Sequence, residues 1–171
     1  MNFLDLVKRR FSVRVYEGTP VPEEKLEMVL EAGRLAPSAA NRQAWRLVVV
    51  RDERQRRALG EAYPRDWFWS APVILVVCMD AAKAWVRADG KNYSDVDGAI
   101  FMDHMTLCAA SLGLGTCWIG AFDPDKVRHV LSIPGHVEPI AMTPLGVPAE
   151  PVRAKSRKPL AEVVNFDRYR S

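Results

Sequence analysis
The sequence predicts an α+β fold in a single domain spanning 1–171, and three observations carry that reading. Apolar runs of strand length occur at Trp45–Val50, 73–78 and 139–147. Helical patterns flank them, which packs helices around three or four strands. The 171 residues, 49% hydrophobic and 26% charged, suffice for one core that removes roughly 70% of the unfolded surface from water.

Leu4 and Val7 mark a short first helix, and 13–17 turn extended ahead of the Gly18-Thr19-Pro20 break. Pro22 with Glu23-Glu24 suits a helix start; Leu26, Val29, Leu30 and Gly33 keep helical spacing until Pro37 ends it. Leu47-Val48-Val49-Val50 carry a buried strand, 52–63 reads as a charged surface helix, and 73–78 is a strand apolar on both faces. The long helix at 94–112 has Ile100, Met102, Leu107, Ala109 and Leu112 on more than one stripe, so burial on several sides is expected. Gly113 suits a left-handed helix end. Asp123 caps a helix with Pro124 in its first turn, burying Val127, Val130 and Leu131, and the run at 139–147 closes the sheet.

Composition excludes several classes. A formal charge of +3 from 24 basic and 21 acidic residues is too balanced for a nucleic-acid binder. The three cysteines, Cys78, Cys108 and Cys117, form no CxxC pair and leave an odd thiol, which favours a reducing cytoplasm over a disulfide framework. No apolar run approaches the ~20 residues of a membrane helix, and 1–7 carry Asp5 and lack a leader-type apolar core. A cytoplasmic protein is expected.

The excess charge sits mainly in two clusters. Arg9-Arg10-Phe11-Ser12-Val13-Arg14 sets three guanidiniums and a hydroxyl within six residues, and Lys155-Ser156-Arg157-Lys158 repeats that chemistry near the other end. Forked donors, an ammonium and hydroxyls are what a phosphate monoester needs. One such cluster reads as surface charge at a helix end; the matching pair points to a shared anion. Gly113-Leu114-Gly115 imitates a dinucleotide fingerprint, but it closes a helix and opens a strand, the reverse of what that motif requires. His104, His129 and His136 show no metal-ligand spacing, so no metal is expected, and neither GxSxG nor GxxxxGK[ST] is present. Cys117 has no cation beside it in sequence and reads as a buried, inert thiol.

Four ordered segments carry a resemblance. Arg10-Phe11-Ser12-Val13-Arg14-Val15-Tyr16, Ala36-Pro37-Ser38-Ala39-Ala40-Asn41-Arg42-Gln43-Ala44-Trp45, Gly113-Leu114-Gly115-Thr116-Cys117-Trp118-Ile119-Gly120, and Pro144-Leu145-Gly146 followed by Lys155-Ser156-Arg157-Lys158-Pro159-Leu160 resemble the short nitroreductase-like flavoproteins. The resemblance implies a three-layer sandwich with a mixed, mostly antiparallel sheet, a homodimer with two FMN sites at its interface, and a reductase using NADH or NADPH as co-substrate. It implies that flavin N5 performs the chemistry, with no catalytic side chain, and that one slot serves both the nicotinamide and a small-molecule acceptor, a nitroaromatic or quinone, in ping-pong fashion.

Residue by residue, the resemblance assigns Arg10, Ser12, Lys155 and Arg157 to the FMN phosphate, with Phe11 in the same binding segment. Arg14 falls by the pyrimidine edge, where a cation favours the reduced flavin. Pro37, Ser38, Ala39 and Asn41 reach the flavin of the other subunit, with Gln43 a further candidate, and Gly120 and Ala121 offer backbone N–H groups to N5 and the C4 carbonyl. Glycine at 120 departs from members with an acid there. Trp118 fits either packing near the flavin ring or, more commonly for a tryptophan after a strand start, the core. The aromatic run Tyr63-Pro64-Arg65-Asp66-Trp67-Phe68-Trp69 fits either stacking over a substrate or packing, and the 163–169 tail either crosses to a partner or follows its own surface. Only 81–93 stands where larger relatives insert a lid. Other flavin chemistry on the same scaffold, such as flavin fragmentation or supply of reduced FMN, and a non-enzymatic flavin-binding protein are the alternatives.

Overall fold
Every residue of the apolar run at 73–80 is buried, and its alternation sorts the molecule into layers. A computed structural model describes residues 2–169. In chain order, α1 (Phe3–Arg9) and α2 (Glu23–Arg34) precede β1 (Trp45–Val50); α3 (Glu53–Leu59) and α4 (Asp66–Trp69) lead into β2 (Val73–Asp80). Then come α5 (Ser94–Ser111), β3 (Gly115–Thr116), α6 (Pro124–Leu131), β4 (Val137–Gly146) and α7 (Leu160–Val163). Val73, Leu75, Val77 and Met79 of β2 pack with Leu26 and Val29 of α2 and Phe101, Met102 and Met105 of α5. Ile74, Val76 and Cys78 point the other way, onto Leu59, Phe68 and Val127 of α3, α4 and α6. The sheet is thus the middle of three layers.

Its order is β1-β2-β4-β3, and every ladder is antiparallel. The expected mixed character reduces to an isolated parallel bridge, Ser12 to Thr116, that lays the N-terminal segment along β3. Helix ends follow the sequence signals. Asp123 accepts from the N–H groups of Asp125 and Lys126, and Pro124 occupies the first turn. Gly113, at φ +77°, closes α5. Leu114 N–H donates to Ala109 O at 2.8 Å and Gly113 N–H to Ala110 O at 3.3 Å, the paired bonds that satisfy the last carbonyls of a helix. Gly115 has a different reason: a Cβ there would lie 2.7 Å from Val13 Cγ2 and 3.0 Å from Pro148 Cγ. The glycines at 113 and 115 therefore serve a cap and a close approach.

One expectation changes. The helix expected over 52–63 ends at Leu59, because the chain turns at Gly60 beneath Trp69, and a second short helix then buries Phe68. The long helix is covered by α2 and the sheet, yet Asp103 and His104 remain exposed. On the tail Leu160, Phe166 and Tyr169 are exposed, as are Phe3 and Leu4 on α1. Among the described residues no helix is long and apolar enough to cross a membrane.

Candidate functional site
The two cationic clusters meet because the chain ends are stitched together behind them. Val13 N–H donates to Thr116 O, Glu17 N–H to Val147 O and Ala149 N–H to Val15 O, each at 2.9 Å. Glu150 accepts from Arg14 N–H and pairs with Arg153. Burial opposes its ionisation, but the bonds from Arg14 and Arg153 prevail and hold its carboxyl below the ordinary value. Lys155 Nζ donates to the Val7 carbonyl, one of the acceptors left open at the end of α1.

As a result Arg10, Lys155, Arg157 and Lys8 line one open groove of about 800 Å³, with Asp103 and Leu107 of α5 on its wall. Among the described residues no carboxylate forms an ion pair with Arg10, Lys155 or Arg157. Burial, then repulsion from Arg10 and Arg157, pushes the Lys155 pKa below the usual lysine value. Like charges are held together with no carboxylate paired to them, although Asp103 stands on the same wall, and such crowding suits an anion.

Ser12 is half-buried and bridges to Thr116, next to Cys117, whose thiol feels Arg14 and Arg10. The fold thus supplies Cys117 with the cations its sequence neighbours lack. Burial is nonetheless the larger effect and raises its pKa, so the thiol stays protonated and unreactive. Phe11 is half-buried beside them, and the Arg14 guanidinium lies 5.8 Å from the Trp67 ring. The aromatic run is chiefly packing: Tyr63 meets Trp67 and Phe68 edge-on, and Phe68 is fully buried.

From Thr116 the chain continues to Gly120. Ile119 is pinned by reciprocal bonds with Met142 at 2.8 and 2.9 Å, which leaves Gly120 and Ala121 exposed just beyond. Their N–H groups donate to nothing among the described residues, and nothing lies within 4 Å of where a Gly120 Cβ would stand. Trp118, expected in the core, is instead 42% exposed. Its neighbours Cys117 and Ile119 point inward, so alternation turns the indole out. With Gly120, Phe122, Asp95 and Glu138 it lines a pocket of about 320 Å³. Neither carboxylate has a cationic partner among the described residues.

The 37–43 loop does not join the groove of its own chain. Ala39 N–H donates to Asp97 Oδ1 at 3.0 Å, near the start of α5. Asp103 and Leu107, which line the groove, lie roughly 9 and 15 Å further along that helix at 1.5 Å per residue. Pro37 and Asn41 are exposed, and Ser38 and Ala39 half-buried. Ala40, Asn41 and Gln43 adopt φ of 49°, 54° and 48°, left-handed values without a glycine among them.

Sequence reasoning missed Glu150, Lys8 and Asp97. For Glu150 the signal was slight, a lone acid before a basic run. For Asp97 it was present: Asp97, Phe101 and Met105 recur every four residues on one buried face.

Comparison with known proteins shows the family. The model of the nitroreductase family matches residues 7–63 and 61–147. The chain is 35% identical over 189 residues to an NADH dehydrogenase of Thermus thermophilus, covering 92% of each chain. It is 30% identical over 175 residues to an FMN reductase (NAD(P)H) of Bacillus subtilis, covering 92% of this chain and 70% of that one. The crystal structure of a nitroreductase family protein from Clostridium difficile superposes with a TM-score of 0.92 at 38% identity, over 99% of this chain and 100% of that one.

Proposed function
The chain belongs to the nitroreductase family, and from that membership we propose that it is an FMN-dependent oxidoreductase. It takes reducing equivalents from NADH or NADPH and passes them to a flat, electron-poor acceptor such as a nitroaromatic or quinone. The observation that carries the reading is the convergence of Arg10, Lys155 and Arg157, from opposite ends of the chain, on one groove with no ion-paired carboxylate.

The donor set fits the cofactor. Crowded cations with a depressed Lys155 are relieved by a phosphate dianion, which Arg10, Ser12, Lys155 and Arg157 would hold. Phe11 backs that segment, Arg14 supplies positive charge beside it, and Gly120 and Ala121 offer unengaged N–H donors that no side chain screens. Bound FMN supplies hydride acceptance and donation; the protein supplies position and charge. One slot serving both the nicotinamide and the acceptor gives ping-pong kinetics. Trp118 and Phe122 provide flat apolar walls for the acceptor, while Asp95 and Glu138 disfavour anionic ones.

The working unit in this reading is a homodimer. Pro37, Ser38, Ala39 and Asn41 serve the flavin of a second copy, since Asp97 holds their loop away from their own groove. The exposed apolar residues of α1 and the tail supply surface for that copy to cover. Three unpaired cysteines accord with a cytoplasmic setting.

The test is the absorbance spectrum of the purified protein, before and after adding FMN. A flavin band that NADH or NADPH bleaches without oxygen is expected. Colourless protein that takes up no FMN overturns the proposal, and bound flavin that neither nicotinamide bleaches reduces it to a binding protein.

A further inference from the structure
Asp97 is 1% exposed, its Oδ1 accepts the Ala39 N–H, and its Oδ2 has no hydrogen-bond partner among the described residues. No cation forms an ion pair with it there. One N–H returns less than the desolvation of an unpaired carboxylate costs, so this residue burdens the fold. The burden is not isolated. The loop that Asp97 grips has left-handed Ala40, Asn41 and Gln43, and it is closed by Gln43 N–H to Ser38 Oγ at 3.0 Å and Gln43 Nε2 to Asn41 Oδ1 at 2.9 Å. Strained backbone of this kind persists only where its surroundings over-determine it, and it gathers at ligand clamps. Two independent penalties, one electrostatic and one conformational, meet at a single N–H···O bond.

We propose that Asp97 is a positioning residue of the flavin site, its Oδ1 fixing the Ala39 N–H so that Ser38 and Asn41 face the cofactor of a second copy. The inference rests on the FMN reading above and adds a residue that touches neither cofactor nor acceptor. Its signature is a trade of stability for binding. Asp97→Ala removes both the tether and the orphaned Oδ2, whereas Asp97→Asn replaces one carboxyl oxygen and keeps the other for Ala39.

The experiment titrates FMN into the flavin-free full chain by flavin fluorescence and measures the melting temperature of the same flavin-free samples. Asp97→Ala is expected to weaken FMN binding about tenfold, equivalent to about 1.4 kcal/mol, with a melting temperature equal to or above that of the unsubstituted protein. Asp97→Asn is expected to bind FMN within about threefold of the unsubstituted protein and to melt higher. Unchanged FMN affinity in Asp97→Ala overturns the inference. A lower melting temperature in either variant also overturns it, because the residue is then structural. Should Asp97→Ala fail to fold, loss of affinity in Asp97→Asn decides against the oxygen tether. If the unsubstituted protein itself takes up no FMN, the flavin reading falls and this inference with it.

Discussion
The cationic groove and the 37–43 loop are both unfavourable to the fold, but through different physics. In the groove the penalty is electrostatic: Arg10, Lys155 and Arg157 crowd together, and Lys155 holds its proton less firmly than a free lysine. In the loop it is conformational: three residues other than glycine sit at positive φ above a buried carboxylate. A phosphate removes the first penalty directly, by charge. Nothing that binds elsewhere removes the second, which is carried permanently as preorganisation. The groove should therefore govern whether a cofactor binds, and the loop how well it is placed.

The largest expected effect breaks the groove. Arg10→Ala with Arg157→Ala should weaken FMN binding at least ~100-fold, since each charge-assisted contact contributes roughly 1.5–3 kcal/mol. Circular dichroism should show the sheet unchanged, because neither residue enters either core cluster. Full retention of flavin by this variant would place the phosphate elsewhere.

A pH series sharpens the same side of the comparison. The folded-state pKa of Lys155 lies below its unfolded value near 10.5, so the unfolded chain keeps that proton to higher pH. The contribution of Lys155 to the stability of the flavin-free protein is thus fully present above about 10.5 and is lost as pH falls through the depressed value. FMN affinity should run the opposite way over that window, falling a few-fold on the alkaline side as the ammonium is lost. Lys155→Met should flatten both profiles; an unaltered pH dependence would exclude Lys155 as their source.

The smallest effect falls on the loop. Ala40→Gly suits φ 49° better than alanine does and should change the stability of the flavin-free protein by no more than about 1 kcal/mol, while FMN binding weakens roughly two- to threefold as order is lost. Stronger binding by this variant would mean that the strain serves no placement.

This contrast also explains what the sequence disclosed. Groove chemistry is written in residue types, so Arg10, Lys155 and Arg157 can be read from two basic runs and a phosphate's needs. The doubly buried central strand follows from the unbroken apolar run at 73–78, and the end of α5 and the start of α6 follow from Gly113 and from Asp123 with Pro124. The loop strain is not written that way. No glycine announces Ala40 or Gln43 as left-handed, because the conformation is imposed by Asp97 and by bonds within the loop. Trp118 was misread for a related reason: apolar character suggested the core, whereas its place between inward-facing Cys117 and Ile119 sends it outward. The cations around Cys117 are likewise invisible along the chain, since Arg10 and Arg14 arrive from its other end.

Because Lys155 grips the carbonyl of Val7 and Glu150 grips the backbone of Arg14, the polypeptide is fastened like a belt, with the anion groove as its buckle. If the groove holds the FMN phosphate as proposed, unbuckling and losing the cofactor become one event. Proteases and hydrogen exchange should find 2–16 and 147–169 opened first when flavin leaves, while the eight residues of β2 stay shut.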